Sequence, residues 1–288
     1  MEQELGWTDH SLAFETPFDW HSLVDYLKLR TAGDAEQISD GTYRRSVSLG
    51  NHRGWIEVCR DNDAPRLMLK VSDELLPVIP AIKERMRRLF DLDADPILIS
   101  SHLKELSLPR PGLRLPGAFD PFELSVRAIL GQLVSVKGAC RLMSRYVTAF
   151  GEPFDTPFRN INRLTPTAEQ IAKATPADIA LSVGIPKTRA RAIWYLADAI
   201  SNRSLDLESK TDVRNTIIKL KEIPGIGDWT AHYVAMHGLS WSDAFLHGDL
   251  ALRKILNKKT DTAMLAHAEP WSPWRAYAVM HLWQSITS

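Results

Sequence analysis

Between residues 42 and 71 apolar side chains recur at every second position, and from about residue 97 they recur at every third or fourth. Alternation belongs to strands and the longer period to helices, so such a chain divides into a sheet-bearing part and a helical remainder. Thr42–Leu49 alternates, Gly50-Asn51-His52-Arg53-Gly54 turns, Trp55–Cys59 returns, and Asp61–Pro65 turns again into Leu67–Val71. This reads as an antiparallel meander. One helix is expected ahead of it, from Pro17-Phe18-Asp19-Trp20 into Leu23, Val24 and Leu27. Another, from about Glu74 to Phe90, would cover one face of the sheet. With a boundary at Asp91–Pro96, residues 1–96 form an α+β domain and residues 97–288 an all-helical region.

In that region Asp120-Pro121-Phe122-Glu123 supplies a cap, a proline at the first helical position and an acid three residues after the cap. These announce a helix carried on by Val126, Ile129, Leu130 and Leu133. Further helices start near Thr167, Pro176, Lys187 and Asp212, with short connections that suit a compact bundle.

Composition narrows what such a chain can do. No stretch approaches the roughly eighteen uncharged residues of a membrane span. Met1-Glu2-Gln3-Glu4-Leu5 is acidic where a secretory signal would be basic and then apolar, so cytoplasmic residence is expected. Cys59 and Cys140 are isolated, which excludes a four-cysteine zinc or iron–sulfur site. Carboxylates and histidines show no convincing metal-ligand spacing, which argues against a metal-dependent nuclease. Net charge is zero, yet residues 1–105 hold 13 Lys/Arg against 19 Asp/Glu and residues 106–288 hold 22 against 16. The helical region is thus the one that suits a polyanion, although a solvated basic face would have the same composition.

Lys221-Glu222-Ile223-Pro224-Gly225-Ile226-Gly227-Asp228-Trp229 is a helix end, a Pro-Gly-x-Gly turn and a fresh helix start. A glycine turn that opens a helix presents unpaired N–H groups and a positive dipole end, as a phosphate nest does. It can equally be a plain connection between packed helices. Twenty-two residues beyond Gly227, a buried-looking run ends in Asp249 at another helix entrance.

Taken in order, Arg110–Gly117, Val126–Val136, the Pro-Gly-Ile-Gly turn, the Asp249 region, Lys83–Leu92 and Trp271–Ala278 resemble the bacterial 3-methyladenine DNA glycosylase II family over nearly the whole chain. The resemblance implies a helix-hairpin-helix enzyme that flips an alkylated base out of duplex DNA and cuts its N-glycosidic bond. Breaking that bond passes through a sugar with oxocarbenium character, for which a fixed carboxylate is the group most wanted. Asp249 is the catalytic candidate, and it can also cap the helix starting at Leu250. By the resemblance Trp229, Tyr233 and Trp283 form the base pocket, with Trp283 stacking on the base; core packing is the ordinary fate of such side chains. Related enzymes that cut the strand carry a Schiff-base lysine where this chain has Trp229, which implies a water-using enzyme that leaves an abasic site.

The resemblance further implies that Gly225 and Gly227 hold a DNA phosphate and that carbonyls of Lys221, Ile223 and Gly225 hold Na⁺ or K⁺, with no other cofactor required. Leu133 would wedge into the gap left by the flipped nucleotide, or else belong to the core with Ile129 and Leu130. Gly184–Arg191 would add phosphate contacts or be a solvated basic helix start. His247, Gly248 and Leu250 depart from the family's pattern and put the pocket floor in doubt. His247 suits a hydrogen-bonded loop residue better than a general acid. The expected partner is damaged double-stranded DNA, bound by a monomer with no membrane involved. Two alternatives stay open: a damage sensor without catalysis, and a glycosylase for oxidised or deaminated purines.

Overall fold

A computed structural model describes residues 6–208 and 212–285, and the acidic stretch 1–5 lies outside them. The first part runs β1 (Trp7–Ala13), α1 (Trp20–Lys28), β2 (Glu36–Ser39), β3 (Thr42–Leu49), β4 (His52–Arg60), β5 (Arg66–Ser72) and α2 (Ile79–Leu89). Helices follow: α3 (Pro96–Leu103), α4 (Pro121–Leu130), α5 (Val136–Phe150), α6 (Ala168–Ala172), α7 (Pro176–Val183) and α8 (Lys187–Ser201). The last five are α9 (Val213–Glu222), α10 (Asp228–His237), α11 (Leu250–Ile255), α12 (Asp261–Ala268) and α13 (Arg275–Gln284). Among the described residues no helix is long and apolar enough to cross a membrane.

The sheet is antiparallel in the order β1-β5-β4-β3-β2, so the expected meander gains a strand on each edge. Tyr43, Val47, Ile56, Val58, Leu67, Leu69 and Val71 share one face through the strand registers. They bury against Leu23 and Val24 of α1 and Ile82, Met86 and Leu89 of α2. Each such side chain contributes about 1.5–3 kcal/mol when fully buried, which holds the layers together. The expected start of α2 at Glu74 is instead a 3₁₀ segment, Asp73–Val78. Pro77 lacks an N–H and biases the residue before it away from α geometry, so the α-helix opens only at Ile79.

Arg45 interrupts the apolar face of β3 and faces inward, directly opposite Glu36 on β2. Its Nη2 donates to Glu123 Oε2 at 2.8 Å, while the Tyr43 hydroxyl donates to Glu36 Oε1 at 2.6 Å. Glu123, three residues after the cap of α4, therefore does not serve as a capping acid. It ties the helical region to the sheet.

Helix α4 stops at Leu130, because the Arg189 guanidinium donates to the carbonyls of Leu130 and Gln132, 3.4 and 2.7 Å away, and the Gln132 amide donates to Gly225 O at 2.9 Å. Leu133 follows in left-handed geometry, φ 57°, and is 99% exposed, so it is no core residue. Arg189 is likewise engaged by the protein itself.

Two buried clusters adjoin. The sheet cluster runs through Leu92 and adds Phe119, and the helical cluster takes in Ala94 onward together with Tyr26, Ala32 and Ala35 from the first part. Asp91 lies between them, at φ 53°, accepting from Leu115 N at 2.9 Å and from the Tyr277 hydroxyl at 2.8 Å. Burial raises its carboxyl from 3.8 to about 6, against those hydrogen bonds and the nearby Arg114. The native state then binds more protons than the unfolded chain between those values, so Asp91 costs stability as pH rises through that window. Asn keeps the acceptor and tolerates left-handed geometry. Asp91→Asn should raise stability by roughly 1–2 kcal/mol at pH 7.5, with the gain shrinking toward pH 4. Urea midpoints at both pH values measure this; a difference that does not change with pH would refute it.

Candidate active site

Helices α9 and α10 are joined by Ile223–Gly227 in a sharp turn. Gly225 has φ 95°, and a β-carbon there would lie 2.9 Å from that of Ala192, so glycine is required twice over. Gly227 is different: its backbone is extended, and no atom lies within 4 Å of where a β-carbon would project. The turn does not need that glycine, whose face is open to a ligand.

Beyond the turn, Trp229 and Tyr233 stand one helical turn apart on α10, with stacked rings whose centroids are 5.0 Å apart. Asp249 caps α11, its Oδ1 accepting from Leu252 N at 2.9 Å. The indole N–H of Trp229 donates to Oδ2 at 3.0 Å, and that of Trp283 on α13 to Oδ1 at 3.4 Å. Capping is thus real, and it orients the carboxylate together with two tryptophans from different helices. Ring stacking was the role expected of these tryptophans; their hold on the carboxylate was not read from the sequence.

Trp229, Tyr233, Trp283 and Asp249 line one cleft of about 620 Å³. Gly131, Val134 and Val136, the neighbours of exposed Leu133, also line it. Neither Gly248 nor Leu250 does, and Leu250 is 77% exposed. Sequence reasoning missed Tyr26 on α1 and Arg30 just past its end, which line the cleft wall from the first domain. Their spacing of four residues beside the buried stripe of α1 was the available signal.

A directional chain of hydrogen bonds backs that wall. His237 Nδ1 lies 2.6 Å from the Pro116 carbonyl and must donate to it. Burial, aided by the charge of Arg30, lowers the imidazole to about 4, so it stays neutral and Nε2 is an acceptor. The Tyr26 hydroxyl then donates to Nε2 at 3.2 Å and can accept from the Tyr233 hydroxyl at 3.4 Å. The Arg30 guanidinium lies over the Tyr26 ring, 3.6 Å from its centroid.

His247 does not point at Asp249; its Nε2 lies 3.1 Å from Asp228 Oδ2. Asp228 also accepts from Lys221 Nζ at 2.8 Å. Burial opposes its charge, but the Lys221 bond and the neighbouring histidines outweigh that and hold its carboxyl below the ordinary carboxylate range.

Comparison with known proteins agrees with this architecture. Residues 9–120 match the AlkA N-terminal domain family. The fold is shared with 3-methyladenine DNA-glycosylase from Archaeoglobus fulgidus, with a TM-score of 0.80 at 18% identity over 95% of this chain and 96% of that one. It is shared also with Clostridium acetobutylicum 8-oxoguanine glycosylase/lyase in complex with double-stranded DNA, with a TM-score of 0.70 at 17% identity over 92% and 90%. At those identities the likeness speaks for the fold alone. In sequence the chain is 36% identical to DNA-3-methyladenine glycosylase 2 of Escherichia coli K12 over 95% of its own length and 96% of that protein. The chain therefore belongs to the DNA-3-methyladenine glycosylase 2 family.

Proposed function

We propose that this protein is a monofunctional DNA glycosylase that flips alkylated bases out of duplex DNA, hydrolyses the N-glycosidic bond and leaves an abasic site, working as a cytoplasmic monomer. The observation that carries the reading is the Asp249 carboxylate, held by three N–H donors beside aromatic walls. A base methylated at N3 or N7 is cationic and leaves readily, so the enzyme's task is to hold a flat cation and stabilise the sugar. Trp229, Tyr233 and Trp283 offer ring faces for the first, at roughly 1–2 kcal/mol for each desolvated cation–π contact. Asp249 serves the second and orients the attacking water. Without a lysine at position 229 no imine to the sugar can form there, which favours water as the nucleophile.

Gly225 and Gly227 would receive a DNA phosphate at the positive end of α10. Lys221, Ile223 and Gly225 lie at the carboxyl end of α9, where carbonyls lack helical partners and the dipole favours a cation. The Ile223 and Gly225 carbonyls each accept one hydrogen bond and keep a second lone pair, which fits Na⁺ or K⁺. Arg30 favours a second substrate class, because a guanidinium in the wall repels a cationic base and suits a neutral lesion with a carbonyl oxygen, such as a deaminated purine.

Release of 3-methyladenine and 7-methylguanine from methylated duplex DNA, with hypoxanthine-containing duplex beside it, tests the proposal. Base release with strand breaks only after alkali is the expected result. Breaks without alkali would point to a lyase, and binding without release to a sensor. Leu133→Ala should weaken binding to lesion DNA by roughly tenfold while leaving the melting temperature unchanged, since an exposed leucine contributes little to the fold. Equal binding by gel shift would remove Leu133 from the wedge role.

A further inference from the structure

Successive residues of α10 meet alternate residues of the turn that carries the carboxylate: Asp228 Oδ2 lies 3.1 Å from His247 Nε2, and Trp229 Nε1 donates to Asp249 Oδ2 at 3.0 Å. Between them Gly248 is exposed, with no atom within 4 Å of where a side chain would project. The turn is shaped internally by Asp249 N to Leu246 O at 2.9 Å and Arg253 Nε to His247 O at 3.1 Å. Ala244, Phe245 and Leu246 are buried and anchor its start. Those contacts give the turn its form; past Leu246, the Trp229 hydrogen bond and the close approach of His247 to Asp228 set its place against α10.

Asp228 is placed to act as a hub. Its Oδ1 accepts from Lys221 of α9 at 2.8 Å, and its main-chain carbonyl from His232 Nδ1 at 2.9 Å. The imidazole of His232 in turn meets that of His247 edge to face, with centroids 5.7 Å apart. One carboxylate thus joins both helices of the turn proposed to bind DNA to the loop that bears Asp249.

We propose that His247 is a positioning residue for Asp249, coupling the α9–α10 turn to the carboxylate through Asp228. This rests on the catalytic role proposed for Asp249. Misplacing a reacting group by about 1 Å costs on the order of 100-fold in rate, and the Trp229 bond remains when His247 is removed. A loss of roughly tenfold in the excision step is therefore expected for His247→Ala. Affinity for DNA should not change, because His247 faces Asp228 rather than the cleft. Gln reaches the Nε2 position with an N–H, so His247→Gln should restore the rate. Asp228→Asn leaves one oxygen for several donors and should reproduce the loss from the other side.

The test is single-turnover excision from methylated duplex at saturating enzyme, with the dissociation constant for a tetrahydrofuran abasic-site duplex and the melting temperature measured on the same preparations. A tenfold slower step in His247→Ala, a dissociation constant within twofold, and rescue by Gln to within threefold would support the proposal. Excision at the wild-type rate would overturn it, as would a loss confined to DNA affinity, or a loss that Gln does not rescue and that follows the melting temperature. A wild type without release, or Asp249→Asn releasing as the wild type does, would instead overturn the reading of Asp249 and this proposal with it.

Discussion

Asp249→Asn should slow base release by roughly 10²–10³-fold or more while leaving affinity for an abasic-site duplex within about threefold. The size follows from charge. A carboxylate about 4 Å from a developing unit positive charge is worth around 4 kcal/mol at an effective dielectric constant near 20, which corresponds to about three decades in rate. Asn removes that charge and also disturbs its setting. The carboxylate accepts from Leu252 N, Trp229 Nε1 and Trp283 Nε1, and an amide has a single acceptor oxygen. Whichever way the amide is turned, an N–H group meets another N–H group. Stability should change by less than about 1 kcal/mol, since Asn is as good an N-cap as Asp. Single-turnover release from methylated duplex, read beside a thermal melt, separates the two effects. Release within tenfold of the wild type would remove Asp249 from the chemistry.

What could be read from the sequence was mostly what local chemistry decides. Asp19, Asp120, Thr167, Thr175 and Asp212 each cap a helix with their own side chains, a signal complete within four residues. The strands Thr42–Leu49 and Arg66–Ser72 alternate because Tyr43 and Val47, and Leu67, Leu69 and Val71, all turn to the buried face. β1 escaped because it is an edge strand with Leu12 alone fully buried, which leaves no alternation to see. β2 has only four residues, yet Asp40-Gly41 with both φ values positive is the two-residue hairpin signature and could have disclosed it. Leu133 misled in the other direction. An apolar residue three positions after Leu130 keeps the period whether or not the helix goes on, and what ends α4 is Arg189, far along the chain. The site divides in the same way. Trp229 and Tyr233 are helical neighbours, but their meeting with Asp249 and Trp283 is tertiary, and only the family resemblance brought these four together in advance. Tyr26 and Arg30 lie in the first domain, for which the resemblance suggested no role in the site.

The buried ions at the junction of sheet and helices support the second large prediction: Glu123→Ala should destabilise the protein by about 3–5 kcal/mol, lowering the melting temperature by roughly 6–15 °C. Glu123 and Arg45 are 7% and 2% exposed, and 2.8 Å separates Oε2 from Nη2. The other carboxylate near Arg45, Glu36, is 3.9 Å away and already accepts from the Tyr43 hydroxyl and from Ala32 N. Removing Glu123 therefore leaves a buried guanidinium with neutral acceptors only, the Ser46 carbonyl and the Tyr43 hydroxyl, beside a distant Glu36, and this uncompensated charge, more than the lost attraction, sets the size of the effect. Arg127, 3.9 Å from Glu123, loses a partner too but keeps Glu36 at 3.8 Å. If the stranded cation dominates, Arg45→Met added to Glu123→Ala should recover part of the loss, because an apolar side chain fills the site without a charge to desolvate. Glu36 would then lose one of its two neighbouring cations and keep Arg127, so recovery should be incomplete. A melting temperature within about 3 °C of the wild type for Glu123→Ala would mean that water reaches Arg45. A double variant no more stable than the single one would mean that packing between β3 and α4, rather than charge, holds the junction.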